Sequence, residues 1–296
     1  MTGSARRGAV LLLVLAGCGG GLPVDPNPFT NPQSVSIEGY GGVAMEPALS
    51  PDGQTLFFND SNAATVDTDL HWATLDAARP GGLHFTYGGQ VAAANSNVLD
   101  GVPSLDQAGN LYFISTRAYG STHLYTVHRG QYAAGAVSGV EEVPGLESKG
   151  VGWLIFDAFI SADGTQLWFA EGDFSSGALG AADLGLAVRQ PSGAFLRADP
   201  SALFREVNIL HGAQYAPAVS ADGLELFFTR LTGTGTTTAI YRSRRPNTAS
   251  PWGAPAPIDA LVGGVIEAAA PTADGKSLYF HRWTGAGFEL ARVTRR

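Results

Sequence analysis

The sequence predicts an all-β chain folded as a five-bladed β-propeller of four-stranded blades, its ring closed by an N-terminal strand. Three observations carry this. One short motif recurs five times at a near-constant interval, two further strand-like runs follow most copies, and the composition favours short strands over helices. Of 296 residues, 39 are Gly and 17 Pro, 45% are apolar and only 15% are charged. That is enough apolar material for one sizeable core, and no stretch combines a helical period with caps at both ends.

The recurring segments read EPALSPDGQTLFF (46–58), VPSLDQAGNLYF (102–113), DAFISADGTQLWF (157–169), APAVSADGLELFF (216–228) and AAPTADGKSLYF (269–280). Their turn glycines Gly53, Gly109, Gly164, Gly223 and Gly275 are spaced 56, 55, 59 and 52 residues apart. Asp-Gly between two alternating apolar runs is a hairpin signal, because Gly accepts the positive φ of a tight turn. The second copy, Asp106-Gln107-Ala108-Gly109, departs from the pattern and implies a different turn.

Third strands are expected at 70–75, 124–128, 184–189, 240–244 and 288–293, and fourth strands at 84–91, 140–144, 204–210 and 252–258. The fifth copy lacks a fourth strand. Segment 34–38 (SVSIE) precedes the first copy without a partner, so it is expected to complete the last blade and leave no open edge. Residues 34–296 shared among five blades give about 53 each, which leaves no room for a second domain. Phe57, Phe113, Phe169, Phe228 and Phe280, with Trp72, Tyr125 and Tyr241 on the third strands, are expected to pack between blades.

The N-terminus gives an address. Arg6-Arg7 forms a short positive region, and residues 9–16 (AVLLLVLA) form an apolar run too short to span a bilayer. Leu15-Ala16-Gly17-Cys18 follows and resembles the bacterial lipobox, in which cleavage before the cysteine precedes its lipidation. Cys18 is the sole cysteine, so the fold must hold without an internal disulfide. Residues 1–17 are expected to be a signal peptide and 18–33 a lipidated tether rich in Gly, Pro and Asn. Gly19 follows the cysteine, and no Asp stands there to mark inner-membrane retention; by resemblance this points to the outer membrane of the cell envelope.

The motif Ser-Pro-Asp-Gly-x-x-Leu-x-Phe at 50–58 resembles the WD-repeat-like propeller repeat of TolB-type periplasmic proteins. Trp252-Gly253-x-Pro255-x-Pro257-Ile258 is similar to outer strands of envelope lipoproteins of this group. The resemblance implies fold and not function, since the recurring residues are structural. TolB itself has six blades and an extra N-terminal domain, so a role in the Tol system does not carry over.

Antiparallel strands alternate in direction. The connectors entering the innermost strands therefore share one end with the loops between second and third strands. The connectors bring Glu46, Asp100, Asp157, Tyr215 and Glu267 toward the axis, and the loops add Tyr119, Phe174 and Trp283 as an aromatic rim. This end is the expected binding face, for an envelope protein or a glycan. The net charge is −8, or −10 without Arg6 and Arg7, and no basic stripe argues for nucleic acid. Membrane contact is expected through the lipid anchor alone.

No catalytic motif and no cofactor-binding loop is present, and the six His are scattered, so neither an enzyme nor a metal centre is expected. The alternative is a glycan-active propeller of the arabinanase type or a lectin, in which Glu46, Asp157 and Glu267 supply paired carboxylates.

Overall fold

The computed structural model describes residues 28–63, 66–232 and 237–296. Cys18, the signal peptide and most of the expected tether lie outside these residues. The first strands are β1 (Phe29–Ser34) and β2 (Ser36–Glu38). Blade one is β3 (Met45–Leu49), β4 (Thr55–Asn59), β5 (Leu70–Leu75) and β6 (His84–Gln90). Blade two is β7 (Asp100–Leu105), β8 (Asn110–Ser115), β9 (Val127–Ala133) and β10 (Ala136–Glu142). Blade three is β11 (Trp153–Ile160), β12 (Gln166–Asp173), β13 (Ala182–Arg189) and β14 (Phe195–Arg197). Blade four is β15 (Gln214–Val219), β16 (Glu225–Thr232), β17 (Thr237–Arg244) and β18 (Ala256–Pro257). Blade five is β19 (Ile266–Pro271), β20 (Ser277–Trp283) and β21 (Phe288–Arg295). The innermost strands β3, β7, β11, β15 and β19 contact one another in a closed circuit. The molecule is a five-bladed β-propeller.

The turn motif has a hydrogen-bonding reason. In blade one the Ser50 hydroxyl accepts the Thr55 N–H and donates to Asp52, whose carboxylate accepts the Gln54 N–H. Ser161/Asp163, Ser220/Asp222 and Thr272/Asp274 repeat the arrangement. In the divergent second copy, Asp106 replaces the Ser and its carboxylate accepts the Asn110 N–H directly.

The second strand of each blade reads Leu-aromatic-Phe, and its alternation builds the core. Leu56 and Phe58 pack with Tyr279 of the preceding blade, and Leu111 and Phe113 pack with Phe57. Leu167 and Phe169 meet Tyr112, Leu226 and Phe228 meet Trp168, and Leu278 and Phe280 meet Phe227. Five separate clusters result, one per interface. Phe58, and not Phe57 as expected, is thus the equivalent of Phe113, Phe169, Phe228 and Phe280.

Ring closure differs from expectation. The strand that completes blade five is Phe29–Ser34, antiparallel to β21, and 34–38 does not fill that role. Ser36–Glu38 instead pairs parallel with β6, as a fifth strand on blade one. Residues 29–33, assigned above to the tether, are therefore part of the sheet. Pro32 disguises this strand. It is tolerated at a sheet edge, where its missing N–H is not needed, and Asn31 turns with φ 58° at the irregularity between Thr30 and Gln33. Phe29 is buried against Phe227, with ring centroids 6.0 Å apart.

Four other segments also differ. The third strand of blade two starts at Val127, so Tyr125 lies outside it and the Trp72–Tyr125–Tyr241 series dissolves; His128 is the partner of Phe113. The fourth strand of that blade is Ala136–Glu142. In blade three it is Phe195–Arg197, and 204–210 is not a strand, because Asp199 caps a short helix (Pro200–Leu203) with Pro at its start. In blade four only Ala256–Pro257 pairs, consistent with the donors lost at prolines.

Two substitutions test this mode of closure by denaturant unfolding. Phe29→Ala should cost about 3 kcal/mol, the scale of a truncated core Phe. Ile37→Ala, on the half-buried added strand, should cost clearly less. Equal losses would mean that β1 is not the closing element.

Candidate functional site

Each innermost strand carries a register shift near its start, at Met45/Ala48, Gly101/Ser104, Ile155/Asp157, Tyr215/Ala218 and Glu267/Ala270. Counting back seven residues from each turn glycine gives Glu46, Val102, Asp157, Ala216 and Ala268. Four of these adopt positive φ: Glu46 at 50°, Val102 at 53°, Ala216 at 49° and Ala268 at 58°. Such values are strained for residues with a side chain and persist only where neighbours over-determine them.

The neighbours are side chains of the preceding blade. The Val102 N–H donates to Asn59 Oδ1 at 3.0 Å, and the Ala268 N–H to Thr229 Oγ1 at 3.1 Å. The Glu46 N–H donates to His281 Nδ1 at 3.1 Å. Asn59, Thr229 and His281 each directly follow the Phe of the second strand. In blade three Ala170 holds that position and cannot accept, so the Ala216 N–H donates to Asp157 Oδ2 at 2.9 Å. The bulges and their latches thus place two carboxylates and an imidazole at the axis.

Glu267 and Tyr215 stand one residue earlier on their strands. The Tyr215 hydroxyl donates to Glu267 Oε1, and His281 Nε2 lies 3.1 Å from Glu267 Oε2. Since Nδ1 accepts from Glu46, the ring as placed carries its proton on Nε2 and donates it to Glu267. Asn62 Nδ2 donates to Glu46 Oε1 at 2.6 Å. No Arg or Lys forms an ion pair with Glu46, Asp157 or Glu267 among the described residues.

The electrostatics follow. Burial, then the repulsion of Glu46 and Glu267, pushes Asp157 well above the ordinary carboxylate range, against the pull of the Ala216 N–H. Burial also raises Glu46, more than His281 and Asn62 lower it. Burial acts upward on Glu267 too, but hydrogen bonds from His281 and Tyr215 outweigh it and hold Glu267 low. Burial opposes a charged His281, yet Glu267 and Glu46 outweigh it and hold the ring above its usual value. Protonating Nδ1 would still cost the Glu46 N–H its acceptor.

The sequence-derived candidates separate into two groups. Glu46, Asp157, Tyr215 and Glu267 come together. Asp100 does not join them: it is fully buried at the start of β7, where its carboxylate accepts from Arg117 at 2.6 Å and from Ser96. Among the aromatics, Tyr119 is a strut, its hydroxyl bonded to Trp153 O and the Gly152 N–H. Phe174 packs edge-on to Phe156 at 5.3 Å, and Phe156 lies 5.9 Å from Tyr215. Trp283 is 49% exposed. His281, Asn62 and Phe156 escaped the sequence reading. The signal for His281 was its place directly after the motif Phe280.

The path of the chain orients this face. Phe29 pairs with Arg295, and the Arg296 N–H donates to Pro28 O at 2.9 Å. Pro28 therefore lies at the end bearing the Asp-Gly turns, opposite the axial carboxylates.

No protein-family model matches the chain, and no curated protein resembles it. Solved structures do resemble it. BT0996, in its complex with RGII, aligns with TM-score 0.62 and 10% identity, over 91% of this chain and 92% of that one. The family 117 glycoside hydrolase Zg3597 of Zobellia galactanivorans gives 0.58 and 12%, over 91% of each chain. The endo-arabinase of Bacteroides thetaiotaomicron gives 0.53 and 10%, over 89% and 97%. At these identities the likeness is one of fold, and it agrees with the strand order: the chain is a five-bladed β-propeller.

Proposed function

We propose that this protein is a binding module of the cell envelope, anchored through Cys18, whose axial mouth takes a ligand rich in hydrogen-bond donors, an ammonium group or a hydroxylated ring. One observation carries the reading. Glu46, Asp157 and Glu267 are gathered at the axis with one imidazole and no basic side chain paired to them among the described residues. Buried carboxylates without cations cost stability, and a donor-rich ligand offsets that cost. Phe156 and Tyr215 supply apolar walls beside them. In this reading the chain enters the propeller at the Asp-Gly-turn end, opposite the axial carboxylates. The chemistry of the mouth favours a glycan or a basic protein segment as the partner.

A second reading has its own support. Glu46 and Asp157 are raised while Glu267 is lowered, the division of labour that a glycosidase needs between acid and base. Aryl-glycoside hydrolysis abolished by Glu267→Gln would establish the enzyme. Binding without turnover would establish the module.

Stability against pH separates a binding role from a structural one. Asp157 has its folded value raised, so its contribution is fully present below about pH 3.8 and is lost as pH rises through the folded value. Asp157→Asn keeps an acceptor for the Ala216 N–H. Its melting temperature should match the wild type near pH 3.5 and exceed it at pH 7, and ligand binding should weaken. A variant less stable than the wild type at pH 7 would mark Asp157 as a structural carboxylate.

A further inference from the structure

A second acidic group lies outward of the axis, on blade one. The loop joining β4 to β5 carries Asp60, Asp67 and Asp69. None of the three pairs with an Arg or Lys among the described residues. The Asp69 N–H donates to Asp60 Oδ1 at 3.0 Å, which brings the two ends of the loop together. Gln90 donates to the Asp69 carboxylate. Burial, then the charges of Asp60 and Asp67, pushes the Asp69 carboxyl above its ordinary range, and His71 offsets only part of this.

His71 stands between these acids and a nest of rings. It is 5% exposed. Its Nδ1 lies 2.8 Å from the Tyr87 hydroxyl, while its Nε2 is buried with no hydrogen-bond partner among the described residues. That Nε2 points to Asp60 Oδ2 at 3.5 Å, too long for a good hydrogen bond. A buried polar atom left in this way calls for a partner. Phe58 stacks on the imidazole at 5.3 Å, and Tyr40 lies 5.3 Å from the imidazole and 5.0 Å from the Tyr87 ring. Burial and then the Asp60 charge raise both the Tyr40 and the Tyr87 hydroxyl, so the carboxylate stands near both rings. Asp60 is partly exposed and Asp67 exposed, so the group opens to solvent.

We infer that this group binds a primary ammonium ion, with Asp60 Oδ2 and His71 Nε2 as its acceptors. Those two atoms are 3.5 Å apart, so one nitrogen can stand about 2.9 Å from each. Nε2 then accepts, and Nδ1 carries the ring proton and donates it to the Tyr87 oxygen. The Asp69 charge and the tyrosine rings attract the same cation. A metal ion fits less well, because no three His, Cys, Asp or Glu side chains converge to hold one among the described residues. The group shares no residue with the axial carboxylates: His71 and Tyr87 belong to the third and fourth strands of the blade. A lysine side chain of a partner protein and a free amine present the same chemistry.

Two probes separate these sources. Nα-acetyl-lysine methylamide stands in for a protein lysine, and cadaverine is a free amine. The diacetylated lysine methylamide has the same shape without the charge. Each is titrated into the full chain and followed by calorimetry and by the NMR signals of the histidine rings. At least one amine should bind and shift the His71 signals, and the tighter of the two names the source; the uncharged analogue should not bind. Asp60→Asn should weaken the binding by about fivefold or more, while Glu206→Gln, an equal loss of charge elsewhere on the surface, should leave it unchanged. Asn at position 60 still offers an oxygen to the Asp69 N–H and relieves repulsion within the loop, so its melting temperature should equal or exceed that of the wild type. The inference is overturned if neither amine binds, if the uncharged analogue binds as well, or if Asp60→Asn binds like the wild type. A lower melting temperature for Asp60→Asn would also overturn it, marking Asp60 as a structural carboxylate. Shifts at His281 in place of His71 would move the ammonium to the axis, against this inference and in favour of the axial reading.

Discussion

The alternation Leu-aromatic-Phe on the second strand of each blade is the interaction on which the rest depends. Successive side chains of a strand point to opposite faces. The Leu and Phe therefore turn toward one neighbouring blade and the central aromatic toward the other. Each interface receives two large side chains from one blade and one from the next, as where Leu226 and Phe228 meet Trp168. Burying each contributes roughly 1.5–3 kcal/mol. No blade completes its own core, so stability is a property of the closed ring, and the Phe29 strand matters because it closes the last interface.

The same ring geometry creates the site. Five inner strands converge on the axis and each bends there through a bulge. Bulges twist a strand and re-aim its side chains. Here they turn Glu46 and Asp157 inward, and the strained backbone is held by acceptors from the preceding blade. His281 serves both purposes, accepting the Glu46 N–H and donating to Glu267. The fold thus tolerates two buried acids and a partly buried third at its centre, an arrangement that packing alone does not require.

Much of the architecture was legible because it depends on local chemistry. The Ser-x-Asp-Gly turn satisfies its own hydrogen bonds, so its copies announce hairpins wherever they fold. The failures came where a partner decides. Residues 29–34 contain Pro32 and no alternation, and become a strand only because β21 offers an edge. Residues 204–210 are apolar enough for a strand, but Asp199-Pro200 starts a helical turn and Phe204 is buried from there. Asp100 has the residue type of an axial acid, yet it sits nine residues before its turn glycine, two too early to reach the axis.

By itself the sequence determined the number of blades, the hairpin turns, the aromatic strands and the end of the molecule where connectors converge, since each rests on periodicity or on a self-contained turn. Only the tertiary structure decided which segment closes the ring and that His281 belongs with Glu46 and Glu267. These are contacts between residues far apart in the chain. Their geometry exists only once neighbouring blades fix the register of one against the next.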